Sequence, residues 1–177
     1  ELSKQVVSLF NSGTPPRKVF EHGLAFDVVP QMGSVNEYGW SETEVRVAQQ
    51  VQKMLGTEIP LGLTAVTIPV FSGICVDLHL RTVTRLVPDV LAQVLQDGGL
   101  KTSTSGGARF EPRPRRVEGE PFVHFGRMRT DEDGHHLHLW LAMDNLRATA
   151  TVAVGCCAAL LRQEIEEAKR RESSETE

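Results

Sequence analysis

An α+β fold, with a mixed and largely antiparallel sheet and helices packed on one face of it, follows from three features of the sequence. Helical stripes and period-two strands both occur, without the strict strand–helix–strand alternation that would build a parallel sheet. In "ICVDLHLR", Ile74, Val76, Leu78 and Leu80 face one way while Cys75, Asp77, His79 and Arg81 face the other, so one face is core and the other meets solvent or a partner. Two more strand-like runs, "FVHFGRMRT" and "HLHLWLAM", follow one another across a short turn, which makes them neighbours. A chain of 177 residues, 40% apolar and 24% charged, is ordinary globular composition. It fits one domain burying roughly 70% of the surface its unfolded form exposes.

The elements can be taken in order. Leu2, Val6 and Leu9 form a helical stripe that Asn11-Ser12-Gly13 breaks. "VFEHGLAFDVV", β-branched and aromatic, predicts a strand closed by Pro30. "SETE" at residues 41–44 is a capping box, predicting a helix to about Leu55 with Val47, Val51 and Met54 buried and Gly56 as its stop. Two strands then meet at the Ser72-Gly73 pivot. Pro88 suits the first turn of a helix whose stripe is Leu91, Val94 and Leu95 and whose end is Gly98-Gly99. Residues 101–120 read as a long loop, with Arg113, Arg115 and Arg116 in a solvated, semi-rigid proline-rich stretch. After the paired strands, Asp144 and Asn145 introduce a last helix with a stripe of Val152, Cys156, Ala159 and Leu160. Its charged end is expected to fray.

Composition narrows the function. A net charge of −4 and the lack of a basic stripe argue against nucleic acid as a partner. No run approaches the roughly 20 apolar residues of a membrane span, and the chain reads as cytoplasmic. Cys75, Cys156 and Cys157 give no paired framework. Cys75 reads as a small strand residue rather than a nucleophile, since no activating partner is visible in sequence. His136 and His138 fall on one strand face at a spacing that could share a metal, but no second ligand cluster is evident, so no metal site is assigned and the pair reads as surface or interface. Asp131 and Asp133 bracket a turn. Ser105-Gly106-Gly107 lacks the spacing and the helix of a phosphate loop.

Taken together, "KVFEHGLAFDVVPQMG", "GWSETEVRVAQQVQKMLG", "LTAVTIPVFSG", "FVHFGRMRTD" and "LHLWLAMDNLR" resemble, in order and spacing, the C-terminal half of the aspartate-semialdehyde dehydrogenases. The resemblance runs from about Leu2 to Leu161. Its most specific parts are P-V-F-x-G, V-x-F/V-G-R-x-R and L-H-L-W-x-x-x-D-N-L-R. It implies a catalytic and dimerisation domain like the C-terminal domain of glyceraldehyde-3-phosphate dehydrogenase, over residues 1–171, with 172–177 as a disordered charged tail. It also implies a preceding NADP-binding domain, absent here together with the cysteine nucleophile. The opening Glu1-Leu2-Ser3-Lys4 reads as the middle of a helix, which is compatible with a fragment of a longer protein.

The resemblance makes residues 67 and 74 the test of activity. Catalytic members carry an arginine for the substrate carboxylate where this chain has Thr67, and an acid-base histidine where it has Ile74. A hydroxyl gives up roughly 1.5–3 kcal/mol of charge-assisted bonding, and a hydrocarbon cannot supply the ~10²–10⁴ in rate that proton transfer contributes. Arg46 falls where the family keeps a cation for phosphate, although Thr43 replaces a nearby acid. Asn145 and Arg127 match their motifs, Asn145 being the candidate cofactor contact, while Ala148-Thr149-Ala150 replaces Lys-Gly-Ala and puts that contact in doubt. The pattern is similar to the Usg-type paralogues and predicts a non-catalytic domain that pairs through its sheet, with itself or with an active relative. It would carry no cofactor of its own, and NADP only when joined to the family's N-terminal domain. The alternatives are a portion of an active NADP-dependent enzyme of amino-acid biosynthesis, working with substituted groups, and a free-standing ligand-binding module on the same fold.

Overall fold

The computed structural model describes residues 1–102, 104–105, 108–109 and 111–174. It resolves into two compact units, Glu1–Phe71 and Ser72–Glu177.

The first unit is organised by buried polar side chains as much as by its apolar cluster. Helix α1 (Leu2–Phe10) buries Leu2 against Leu24 and Ala25, with Val6, Phe20 and Val29 packed around them. The predicted strand over residues 19–29 does not form, and apart from an isolated bridge at Val29 the segment runs as turns around α1. The reason lies in where its backbone bonds go. Glu1 accepts from the amides of Lys18, Val19 and Phe20, and the fully buried Gln5 accepts from Leu24 and Ala25. These groups take amides that a ladder would have used. The predicted strand before the pivot is likewise reduced to one bridge, Val29 with Thr67.

Helix α2 (Glu42–Leu55) starts with the predicted capping box and ends at Gly56 in the left-handed conformation, φ 65°. Met54, expected on the buried stripe, is 83% exposed, because the helix is anchored through its first turn. There the Glu44 carboxylate accepts from the Ser41 amide at 2.8 Å and, with its other oxygen, from the Ala65 amide at 2.8 Å. Those two backbone bonds hold its carboxyl below the usual carboxylate range. A group depressed in the folded state contributes stability above its unfolded pKa of about 4.3 and loses it as pH falls through the folded value. Glu44→Gln is therefore expected to lower Tm by several degrees at neutral pH and to shrink the further fall in acid. Thermal melts of both proteins from pH 7 to pH 3 check this, and parallel curves would refute it.

The second unit is the sheet. Strand β1 (Ile74–Arg81) is followed by helix α3 (Pro88–Asp97), strand β2 (Lys101–Thr102), a short hairpin of β3 (Thr104–Ser105) and β4 (Ala108–Arg109), helix α4 (Pro114–Val117), strands β5 (His124–Thr130) and β6 (His136–Met143), and helix α5 (Asn145–Ser174). The main sheet has the order β1-β6-β5-β2, with β1–β6 and β6–β5 antiparallel and only β2–β5 parallel. The mixed, largely antiparallel expectation is met. Alternation on β6 puts Leu137 and Leu139 into the core with Phe125, and Leu91, Ala92 and Leu95 of α3 close over them. Val94, predicted for the α3 stripe, lies on the flank and is 59% exposed. The pairing of β5 with β6 shifts register between Gly126 and Arg129, and Arg127 takes a positive φ of 50° there, the geometry of a bulge.

Two further expectations are corrected. Residues 101–120 are not one loop, since β2, β3, β4 and α4 fall within them, and the proline-rich stretch folds into a turn of helix because Pro114 at its first position presets φ. The α5 stripe is not a packed face: Val152, Cys156 and Leu160 are exposed. Gly106 and Gly107 of the Ser-Gly-Gly run and residues 175–177 of the tail lie outside the described residues.

Candidate functional site

The pivot is built by β1, β6 and the start of α5. Asp144 caps α5: its Oδ1 accepts from the amides of Leu146 and Arg147, both at 2.9 Å, and its Oδ2 from Gly119 at 2.7 Å. The amides of Arg147 and Gly119 hold its carboxyl below the ordinary range. The next residue, Asn145, reaches back and accepts from the Gly73 amide at 3.1 Å. Gly73 has φ 99°, and a Cβ there would stand 3.0 Å from the Pro114 Cβ and 3.2 Å from the Met143 carbonyl. Only glycine fits this corner.

Ile74 follows directly, opposite Met143 in the register and 43% exposed. Its side chain is hydrocarbon and offers no proton. Cys75 comes next, half-buried, and burial pushes its thiol pKa up, the reverse of what a nucleophile needs. Asn145 and Ile74 are thus brought to one corner, but the Asn145 acceptor is spent on the Gly73 backbone. The bond gives Asn145 a role in holding the corner, beside the cofactor contact its motif match implies.

Thr67 and Arg46 belong to the first unit. Thr67 pairs through its backbone with Val29, and its hydroxyl donates to the Gln31 carbonyl at 3.0 Å, so the side chain is engaged within the fold. Arg46 projects from α2 beside an open depression of about 470 Å³ with Ser34, Asn36, Trp40 and Glu42 among its lining. A carboxylate in the same lining weakens any anion site there.

The face of the sheet turned away from α3 carries the remaining polar groups. At one end the Trp140 indole donates to the Pro112 carbonyl at 2.7 Å. At the other, His79 stacks on His138 with centroids 4.5 Å apart and rings 7° from parallel, and its Nε2 lies 3.0 Å from Nδ1 of His136. Sequence spacing paired His136 with His138. It missed His79, which the β1–β6 register sets directly opposite His138.

Residues 1–148 match the family model described as semialdehyde dehydrogenase, dimerisation domain. The chain belongs to this family. Within it, the chain is 28% identical over 154 residues to an aspartate-semialdehyde dehydrogenase of Rickettsia conorii, covering 86% of this chain and 46% of the relative. It is 28% identical over 154 residues to a USG-1 protein homolog of Pseudomonas aeruginosa, with the same two coverages. The fold of this dimerisation domain superposes on the crystal structure of aspartate semialdehyde dehydrogenase II from Vibrio cholerae complexed with ASA, with TM-score 0.82 and 25% identity over 91% of this chain and 48% of that one. The chain spans about half the length of the curated relatives it matches.

Proposed function

We propose that this chain is the dimerisation portion of an aspartate-semialdehyde-dehydrogenase-like protein in which the substrate and acid-base positions, Thr67 and Ile74, have lost their working groups. The match of residues 1–148 to the dimerisation domain carries the first half of this reading. The second half rests on side-chain chemistry: a hydroxyl bonded to a backbone carbonyl and a hydrocarbon at the head of β1 supply neither a cationic fork nor a proton carrier. The family half that binds NADP would bring the nucleotide, and this chain would bring the assembly surface. No described helix is long and apolar enough to cross a membrane, in keeping with a cytoplasmic partner of its own kind or an active relative.

The apolar side of β1 is taken up by the core, Leu78 packing into the cluster that α3 closes. A second copy would meet the opposite face, or the sheet edge at β1, where no further strand pairs among the described residues. Light scattering on the eluted chain should give twice the chain mass at micromolar concentration, and a clean monomer would refute the pairing. The protein joined to its nucleotide-binding half should show phosphate- and NADP-dependent oxidation of aspartate semialdehyde at least about a hundredfold below that of an active relative. Turnover within about tenfold would favour the second reading, a working dehydrogenase, which the names of the similar enzymes support.

A further inference from the structure

We propose that His79 and His136, with the carboxylates of Asp131 and Asp133, form a binding site for a divalent ion of the zinc class, carried by the 3.0 Å approach of two imidazole nitrogens from adjacent strands. Two nitrogens that each stand about 2.0–2.1 Å from one ion lie roughly 2.9–3.4 Å from each other in square or tetrahedral arrangements. The His79 Nε2 to His136 Nδ1 separation falls within that range. The His138 ring, stacked on His79, steadies its orientation.

The oxygen donors come from the turn between β5 and β6. Donor atoms of Asp131, Asp133 and His136 all lie within 4.8 Å of one another. Each carboxylate is oriented by one backbone bond, Oδ1 of Asp131 accepting from the His136 amide at 3.0 Å and Oδ1 of Asp133 from the His135 amide at 2.8 Å. His79 stands outside that cluster, so closing the four groups on one ion requires the exposed side chains of the turn to rotate toward it. Two imidazoles with carboxylates suit zinc, nickel or copper better than calcium or magnesium. The cations nearby in register are Arg81, opposite His136, and Arg129, opposite His138. The Arg129 guanidinium is directed to the Arg127 carbonyl at 3.0 Å.

The test is calorimetric titration of the full chain with Zn²⁺, in a Cys156→Ala/Cys157→Ala background because two exposed neighbouring thiols would compete for the ion. One ion per chain is expected. His79→Ala and His136→Ala should each weaken binding at least about tenfold, and Asp131→Asn by less. Absence of binding would overturn the site, as would binding that the histidine variants leave unchanged, the short contact then being only a proton shared between two rings. Should His136→Ala fail to fold, His79→Gln on the exposed face decides the question, alongside the visible spectrum of the Co²⁺ adduct, whose d–d bands must disappear in that variant. Ion stoichiometry per chain is read whatever the oligomeric mass, so failure here and failure of the dimer reading are distinguishable.

Discussion

Gln5→Leu should be among the most damaging single substitutions in the chain, lowering stability of the first unit by about 3 kcal/mol or more. Gln5 is fully buried in a helix whose neighbours are apolar, a setting in which leucine would ordinarily be welcome. Its amide nevertheless closes four bonds. Nε2 donates to the Pro16 carbonyl at 2.8 Å and to Glu1 at 3.2 Å, while Oε1 accepts from the amides of Leu24 at 2.8 Å and Ala25 at 3.1 Å. Leucine keeps the volume and gains apolar burial worth about 1–2 kcal/mol, but it leaves two buried N–H groups and a carbonyl without partners at roughly 1–3 kcal/mol each. The polar loss wins. Urea unfolding followed by circular dichroism measures it, with the exposed neighbour substitution Lys4→Leu as a control expected to stay within about 0.5 kcal/mol. A loss below about 1 kcal/mol for Gln5→Leu would mean that water replaces the amide.

This residue also marks the limit of what the sequence made legible. Signals confined to one element were readable: the Ser41 to Glu44 capping box, Gly56 as a helix stop and Pro88 in a first turn all appear as expected, because each depends on neighbours within a turn, whereas of the apolar face of β1 Ile74 and Leu80 stay exposed. Residues 19–29 misled because their strand propensity is overridden by side-chain acceptors about twenty positions away. No local pattern shows that Glu1 and Gln5 will take those amides, or that the second oxygen of Glu44 reaches Ala65.

At the site, the spacing of His136 and His138 was visible within one strand. Their convergence with His79 depends on the β1–β6 register, which no single strand encodes. For residues 67 and 74 the resemblance sets an expectation from residue type alone. What the sequence withheld was the bonding of these side chains in the fold, such as the Thr67 hydroxyl bonded to Gln31 and the Asn145 side-chain carbonyl bonded to Gly73.

Gly73→Ala should cost about 2–4 kcal/mol, combining backbone strain with overpacking. The two contributions can be separated within the same protein. Gly99 has φ 89°, close to the 99° of Gly73, but a Cβ added there meets nothing within 4 Å. Gly99→Ala therefore reports the conformational penalty alone, about 1 kcal/mol. At Gly73 the new methyl also presses on Pro114 at 3.0 Å and on the Met143 carbonyl at 3.2 Å. Neither neighbour can swing aside, one being a ring at the head of α4 and the other the backbone at the end of β6. The strain must then pass into the bond between the Gly73 amide and Asn145, and through Asn145 into the first turn of α5 beside the Asp144 cap. Hydrogen exchange should accordingly quicken at the Leu146 and Arg147 amides in Gly73→Ala and stay unchanged in Gly99→Ala. Equal stability losses in the two variants, with no change in exchange at α5, would show that the corner has room and that the pivot's glycine is there for its backbone freedom only.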